Sequence, residues 1–225
     1  MNKKETLSII TLVLIGCSIM AFIDGVISPP YYVKSLIKLL LFLVLPFAYC
    51  ILDKKLSFKS LFSFNKKDFL FSLGLGMSVY IFILGSYFIL SPYFDLSNVT
   101  SSLQNNIGVN KGNFVFVALY ISFINSLLEE FFFRGFAFLG LKKVSTKRFA
   151  YIFSSSAFAL YHVAFMIDWF TPLLFVLMVA GLFIAGMLFN WLNDKNGNIY
   201  TSWLVHMCAN FSINTIGFIL FGILF

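Results

Sequence analysis

Residues 114–140 read FVFVALYISFINSLLEEFFFRGFAFLG. The stretch is longer than the roughly 20 apolar residues that carry a helix across a hydrocarbon core about 30 Å thick. It also places Glu129, Glu130 and Arg134 near its middle. A charged side chain near the bilayer centre costs at least about 2.5–3.5 kcal/mol, so it faces a bundle interior or a wet cavity. The stretch therefore reads as a membrane-spanning helix enclosed by other helices.

Those other helices are visible on either side. The same length criterion marks seven spans in all, at 7–27, 33–52, 69–90, 114–140, 149–167, 172–192 and 199–225. The expected fold is all-α, a polytopic transmembrane bundle of about seven spans (six to eight). The last stretch either spans with tilt or breaks near Asn214. Composition agrees: 60% of the chain is hydrophobic, 11% is charged, Phe occurs 31 times and the mean hydropathy is +0.93. A soluble domain carries about 25% charged residues. The whole of 1–225 reads as a single integral membrane domain, and its first partner is the lipid bilayer.

The formal net charge of +7 does not point to nucleic acid, because the basic residues cluster between apolar stretches rather than forming a basic face. Lys3, Lys4, Lys54, Lys55, Lys59, Lys66, Lys67, Lys142, Lys143, Lys147, Arg148 and Lys195 fall on one side of the membrane if the N-terminus is cytoplasmic. That is the positive-inside pattern. Lys34, Lys38 and Lys111 fall outside or near the outer interface. The start, MNKKE before an apolar run, is read as an uncleaved first span, since the run outlasts a signal-peptide core and no small-residue cleavage site follows. Segment 91–113 is polar, with Pro, Gly and Asn, and reads as an exposed outer loop. Cys17, Cys50 and Cys208 are scattered in apolar surroundings and form neither a disulfide framework nor a zinc knuckle.

Within spans and away from helix ends, the ionisable residues reduce to Glu129, Glu130, Arg134, His162 and His206, which include both histidines of the chain. Glu130 and Arg134 are four apart and share a helix face. Glu129 is turned about 100° from Glu130, so one carboxylate can be held by Arg134 while the other faces a cavity. Phe158 with His162, and His206 with Asn210, repeat the four-residue spacing on two further helices. Two chemistries fit. A Glu and two His can hold a divalent metal, zinc being the usual one, with Glu129, His162 and His206 as ligands and a position left for water. Alternatively, with no metal, Glu129 and His162 activate water while His206 and Asn210 donate hydrogen bonds to an oxyanion. Tyr161 beside His162 fits either an assisting role in catalysis or packing.

The ordered set EExxxR (Glu129, Glu130, Arg134), FxxxH (Phe158, His162) and HxxxN (His206, Asn210) resembles the CPBP family. These are the type II CAAX prenyl proteases and bacteriocin-processing enzymes, also called the ABI family. The resemblance covers about 85 residues, from the fourth span to the seventh, with the motifs inside 125–212 and the N-terminal helices 1–113 accessory. It implies an intramembrane endopeptidase acting on a membrane-associated peptide or protein. Glu129, His162, His206 and Asn210 are then catalytic, and Glu130, Arg134 and Phe158 supporting. No cofactor is certain for this family, although a divalent metal has been invoked. A short chain rich in Phe, Ile, Lys and Asn, without an organelle-targeting segment, points to the plasma membrane of a bacterium, and for a bacterial member the resemblance implies bacteriocin immunity or peptide maturation. The alternative is a non-catalytic membrane scaffold or immunity protein that regulates a membrane partner. A proton-coupled carrier fits less well, because the acids and imidazoles are confined to the C-terminal part and no inverted halves are seen.

Overall fold

The computed structural model describes residues 2–53, 61–167 and 169–224. Lys54, Lys55 and Lys59 of the second basic run lie outside the described residues. Among the described residues, seven helices are long and apolar enough to cross a membrane: α1 Lys3–Ile27, α2 Tyr31–Leu52, α3 Lys66–Tyr93, α5 Phe114–Val144, α6 Lys147–Met166, α7 Pro172–Asn196 and α8 Tyr200–Leu220. A shorter helix, α4, runs over Ser97–Ile107. No strand occurs among the described residues.

The helix ends follow local chemistry. Asn65 caps α3 by accepting from the Lys67 amide, and Thr146 caps α6 by accepting from the Phe149 amide, each supplying an acceptor that the first turn lacks. Pro172 opens α7, where its missing amide hydrogen costs nothing. Gly197 closes that helix at φ +69°, a left-handed position that glycine adopts without strain. The last span does not break at Asn214. The Asn214 amide donates to the Ala118 carbonyl at 3.1 Å and to the Ser122 hydroxyl at 3.0 Å, so α8 continues to Leu220 with that side chain satisfied on α5.

Segment 91–113 is not a loop throughout, since it contains α4. Asp95 accepts from the Ser97 amide at 2.9 Å to start the helix, and this bond from the backbone holds the Asp95 carboxyl below its usual range. Val99 and Leu103, one turn apart, pack with Val109, Phe114 and Trp169 in a small apolar cluster at one end of the bundle. The polar composition of SNVTSSLQNNI conceals this one-sided spacing, which is what makes the segment helical.

At the opposite end the basic runs gather. The Asn2 amide meets the Val144 carbonyl, the Ile199 amide meets the Leu61 carbonyl, and Lys142 and Lys147 both pair with Asp194. Between the two ends, α5 is the central helix: every residue from Leu128 to Leu141 is buried. Phe131, Phe132 and Phe133 therefore pack in the core and do not face lipid. Phe132 stacks on Phe42 of α2 with 4.0 Å between ring centres. Around this axis α3 lies along α8, and α6 lies along α7.

Candidate active site

The winding of α5 places its charges. Two π-helical stretches, Ile121–Asn125 and Glu130–Phe138, flank the short α-helical turn Ser126–Glu129. Such wide turns are rare and recur at functional sites. Glu129 lies midway along α5 and is 2% exposed, while Glu130 and Arg134 have no exposed surface.

The two carboxylates have separate partners, as their angular offset requires. Arg134 Nη1 lies 3.3 Å from Glu130 Oε1. The guanidinium sits over the rings of Phe158 at 4.1 Å and Phe189 at 4.8 Å, so aromatic faces replace water as its surroundings. Glu129 takes a different set. Its Oε2 is 3.8 Å from His162 Nε2 and 3.7 Å from His206 Nε2.

Both imidazoles are held through their other nitrogen. His162 Nδ1 donates to the Phe158 carbonyl at 2.7 Å, and His206 Nδ1 lies 2.9 Å from Glu130 Oε1. A carbonyl can only accept, which assigns the Nδ1 proton of His162 and turns Nε2 toward Glu129. His162 stands where α6 loosens: its own amide bonds to the Ala159 carbonyl three residues back. Phe158 packs edge-on to His162 at 4.8 Å and to His206 at 5.8 Å, so this one ring braces both imidazoles and Arg134. Phe189 stacks on His206 at 5.1 Å.

Of the seven motif residues, six converge. Asn210 does not join them directly: its amide donates to the Ile121 carbonyl at 3.2 Å, at the first residue of a π-helical stretch.

Lys34 and Lys38, expected outside or near the outer interface, turn inward to the bundle. Both are buried. Lys34 pairs with Asp24 at 3.2 Å, and Lys38 pairs with Glu129 Oε1 at 2.5 Å. The reason is the helix start: α2 begins at Tyr31, after Pro30, so Lys38 lies about 10 Å into the bundle at about 1.5 Å per residue. The N-terminal helices, expected to be accessory, thus bring a cation onto Glu129. Asn125 completes the cluster: its Nδ2 donates to Glu129 Oε1 at 3.0 Å, and its Oδ1 accepts from Lys38 at 2.5 Å. Tyr161 and Phe42 present ring faces to the ammonium at 4.9 and 5.4 Å.

Sequence reasoning did not single out Lys38, Asn125 or Phe189. Asn125 was within reach of it, being one turn before Glu129 on the same face. Lys38 and Phe189 have no local signal that ties them to the motifs.

Among the described residues, no group of three His, Cys, Asp or Glu side chains is arranged to hold a metal ion. Glu129 Oε1 is already engaged by an ammonium and an amide.

A search of curated proteins and one of solved structures each returned no match. A comparison with protein families did find one: residues 111–212 match the family described as Type II CAAX prenyl endopeptidase Rce1-like. That range contains all seven motif positions, in keeping with the CPBP resemblance they carry. With seven helices among the described residues able to span a membrane, this is a multi-pass membrane protein whose residues 111–212 are similar to the Rce1-like family of type II CAAX prenyl endopeptidases.

Proposed function

We propose that the protein hydrolyses a peptide bond of a membrane-associated peptide or protein, with Glu129 and His162 activating water and His206 and Asn210 stabilising the oxyanion. The observation that carries this reading is the convergence of Glu129 Oε2 with the Nε2 atoms of His162 and His206, at 3.8 and 3.7 Å, from three different helices.

Separations of this kind suit a shared water better than direct contact. Water donating to Glu129 Oε2 and His162 Nε2 has its lone pair free for a scissile carbonyl. As its oxygen bonds to the carbonyl carbon, one proton passes to Glu129 and the carbonyl π electrons move to oxygen. The tetrahedral intermediate then collapses, the carbon–nitrogen bond breaks, and the proton held by Glu129 goes to the leaving amine. Oxyanion stabilisation by His206 uses a proton on Nε2, with the ring held through Nδ1 against Glu130 Oε1. Asn210 would exchange its bond to the Ile121 carbonyl for one to the oxyanion.

In this reading Glu129 is the base, and each step is carried by the chain's own residues without a metal. The setting we propose is a bacterial plasma membrane, with a role in bacteriocin immunity or peptide maturation.

The test is cleavage of a library of membrane peptides by purified protein in liposomes, with and without a strong chelator. Wild type is expected to cleave, and Glu129→Ala or His162→Ala to lose about 10²–10⁴-fold, the usual worth of acid–base catalysis. Chelator should change nothing. A phenotype in cells that survives both substitutions would replace this reading with that of a non-catalytic scaffold or immunity protein.

A further inference from the structure

We propose that Lys38 is a positioning residue of the reaction: its ammonium fixes Glu129 Oε1 so that Oε2 is the oxygen offered between His162 and His206. This inference rests on the endopeptidase reading above. Lys38 lies outside the segment 111–212 that matches the family.

A carboxylate has two equivalent oxygens, and rotation about its last bond exchanges them. Here the two are made unequal. Oε1 accepts from Lys38 Nζ at 2.5 Å and from Asn125 Nδ2 at 3.0 Å, while Oε2 faces the two imidazoles. Asn125 ties the arrangement together, since its own Oδ1 accepts from Lys38. The plane of the carboxylate is therefore set by two donors from two helices. This follows the logic by which a third group orients a catalytic base.

The surrounding charges leave this task to Lys38. Lys34, one turn earlier on α2, is taken by Asp24, and Arg134 pairs with Glu130. Of the charged and titratable groups near Glu129, His162 and His206 lie at Oε2, and Tyr161 presents its ring face to Lys38. Lys38 is the cation within bonding reach of Oε1 among the described residues. With 5% of its surface exposed, it has no competing pull from bulk water. Phe42 and Tyr161 cover the remainder of the ammonium.

The experiment uses the full chain in liposomes and a peptide that wild type cleaves, with Glu129→Ala as the inactive reference. Lys38→Met is expected to lower kcat about 100-fold, the effect of a small misplacement of a catalytic group, while KM stays within about twofold because substrate binding is not touched. Lys38→Arg, which keeps the charge, should recover part of the loss. Where Lys38→Met does not fold, Lys38→Gln, which keeps a donor, carries the same kinetic comparison.

Thermal unfolding supplies a readout independent of turnover. The double variant Lys38→Met/Glu129→Gln should melt above each single variant, because it leaves no unpaired buried charge. A double variant no better than the worse single one would mean that the two side chains do not meet, and it overturns the proposal. A kcat for Lys38→Met within about twofold of wild type, or a loss confined to KM, also overturns it. Wild type that cleaves nothing, or Glu129→Ala that still cleaves, overturns the endopeptidase reading and the role of Lys38 with it.

Discussion

A guanidinium with no exposed surface, as in Arg134, needs a reason to stay ionised in the middle of a bundle. Part of it is Glu130 one turn away, and part is the pair of phenyl faces from Phe158 and Phe189. A desolvated cation–π contact contributes about 2 kcal/mol, so the two rings together rival the ion pair. Arg134→Met would leave the buried Glu130 carboxylate without its guanidinium partner, with the His206 imidazole still beside it. The expected cost is about 3–5 kcal/mol, read as a lower midpoint of chemical or thermal unfolding in detergent, and Glu130→Gln added to it should recover part of the loss. Arg134→Lys is not a mild change, because a compact ammonium cannot stack on two faces at once. At this scale the motif residues were legible, since a four-residue spacing on a helix is written in the chain itself. Lys38 was not legible: its partner lies 91 residues away, and averaging hydropathy over α2 submerges a single charge.

Helix pairs show a second level of organisation, most clearly at α6 and α7. Asn190 of α7 donates to the Tyr151 carbonyl and the Ser155 hydroxyl, and Ser154 reaches from α6 to the Phe133 carbonyl on α5. Beside this polar seam Gly186 lets the backbones approach. A Cβ built there would stand 3.0 Å from the Ser155 Cα, whereas one at Gly181 on the same helix would meet nothing within 4 Å. Gly186→Ala should therefore destabilise by about 1–3 kcal/mol, as overpacking does. Gly181→Ala should be neutral or gain up to about 1 kcal/mol from helix propensity. Melting temperatures of the two variants, compared side by side, check both. Close approach at a small residue is typical of helix pairs in lipid, but the chain alone does not say which of its glycines faces a neighbour. The seven spans were legible because length and hydropathy are properties of each segment. The helix α4 was hidden because its few apolar residues are outnumbered by polar ones, and only the spacing of Val99 and Leu103 betrays it.

Across the whole molecule the charges divide by end. Lys66, Lys67, Lys142, Lys143, Lys147, Arg148 and Lys195 collect at the end where Asp194 pairs with Lys142 and Lys147. Opposite them is the cluster of Val109, Phe114 and Trp169. The positive-inside rule predicts that the basic end faces the cytoplasm. Seven spans among the described residues then predict that Asn2 and Leu224 lie on opposite sides. Reporter fusions active only in the cytoplasm should work at the N-terminus and fail after Leu224, and the reverse result would invert the bundle.

The pairing of Lys38 with Glu129 also bears on how the protein is made. Lys34 meets Asp24 within the first helical hairpin, so that pair can close as soon as α2 enters the bilayer. Lys38 emerges from the ribosome 91 residues ahead of Glu129, and at about 5–20 residues per second it waits roughly 5–20 s for its counter-ion. During that interval α2 is held in lipid by a mean hydropathy of 2.3 against an unpaired charge that costs about 2.5–3.5 kcal/mol. The arrival of α5 ends this interval, so late insertion of the fourth span locks the second in place and completes the carboxylate's surroundings in the same event.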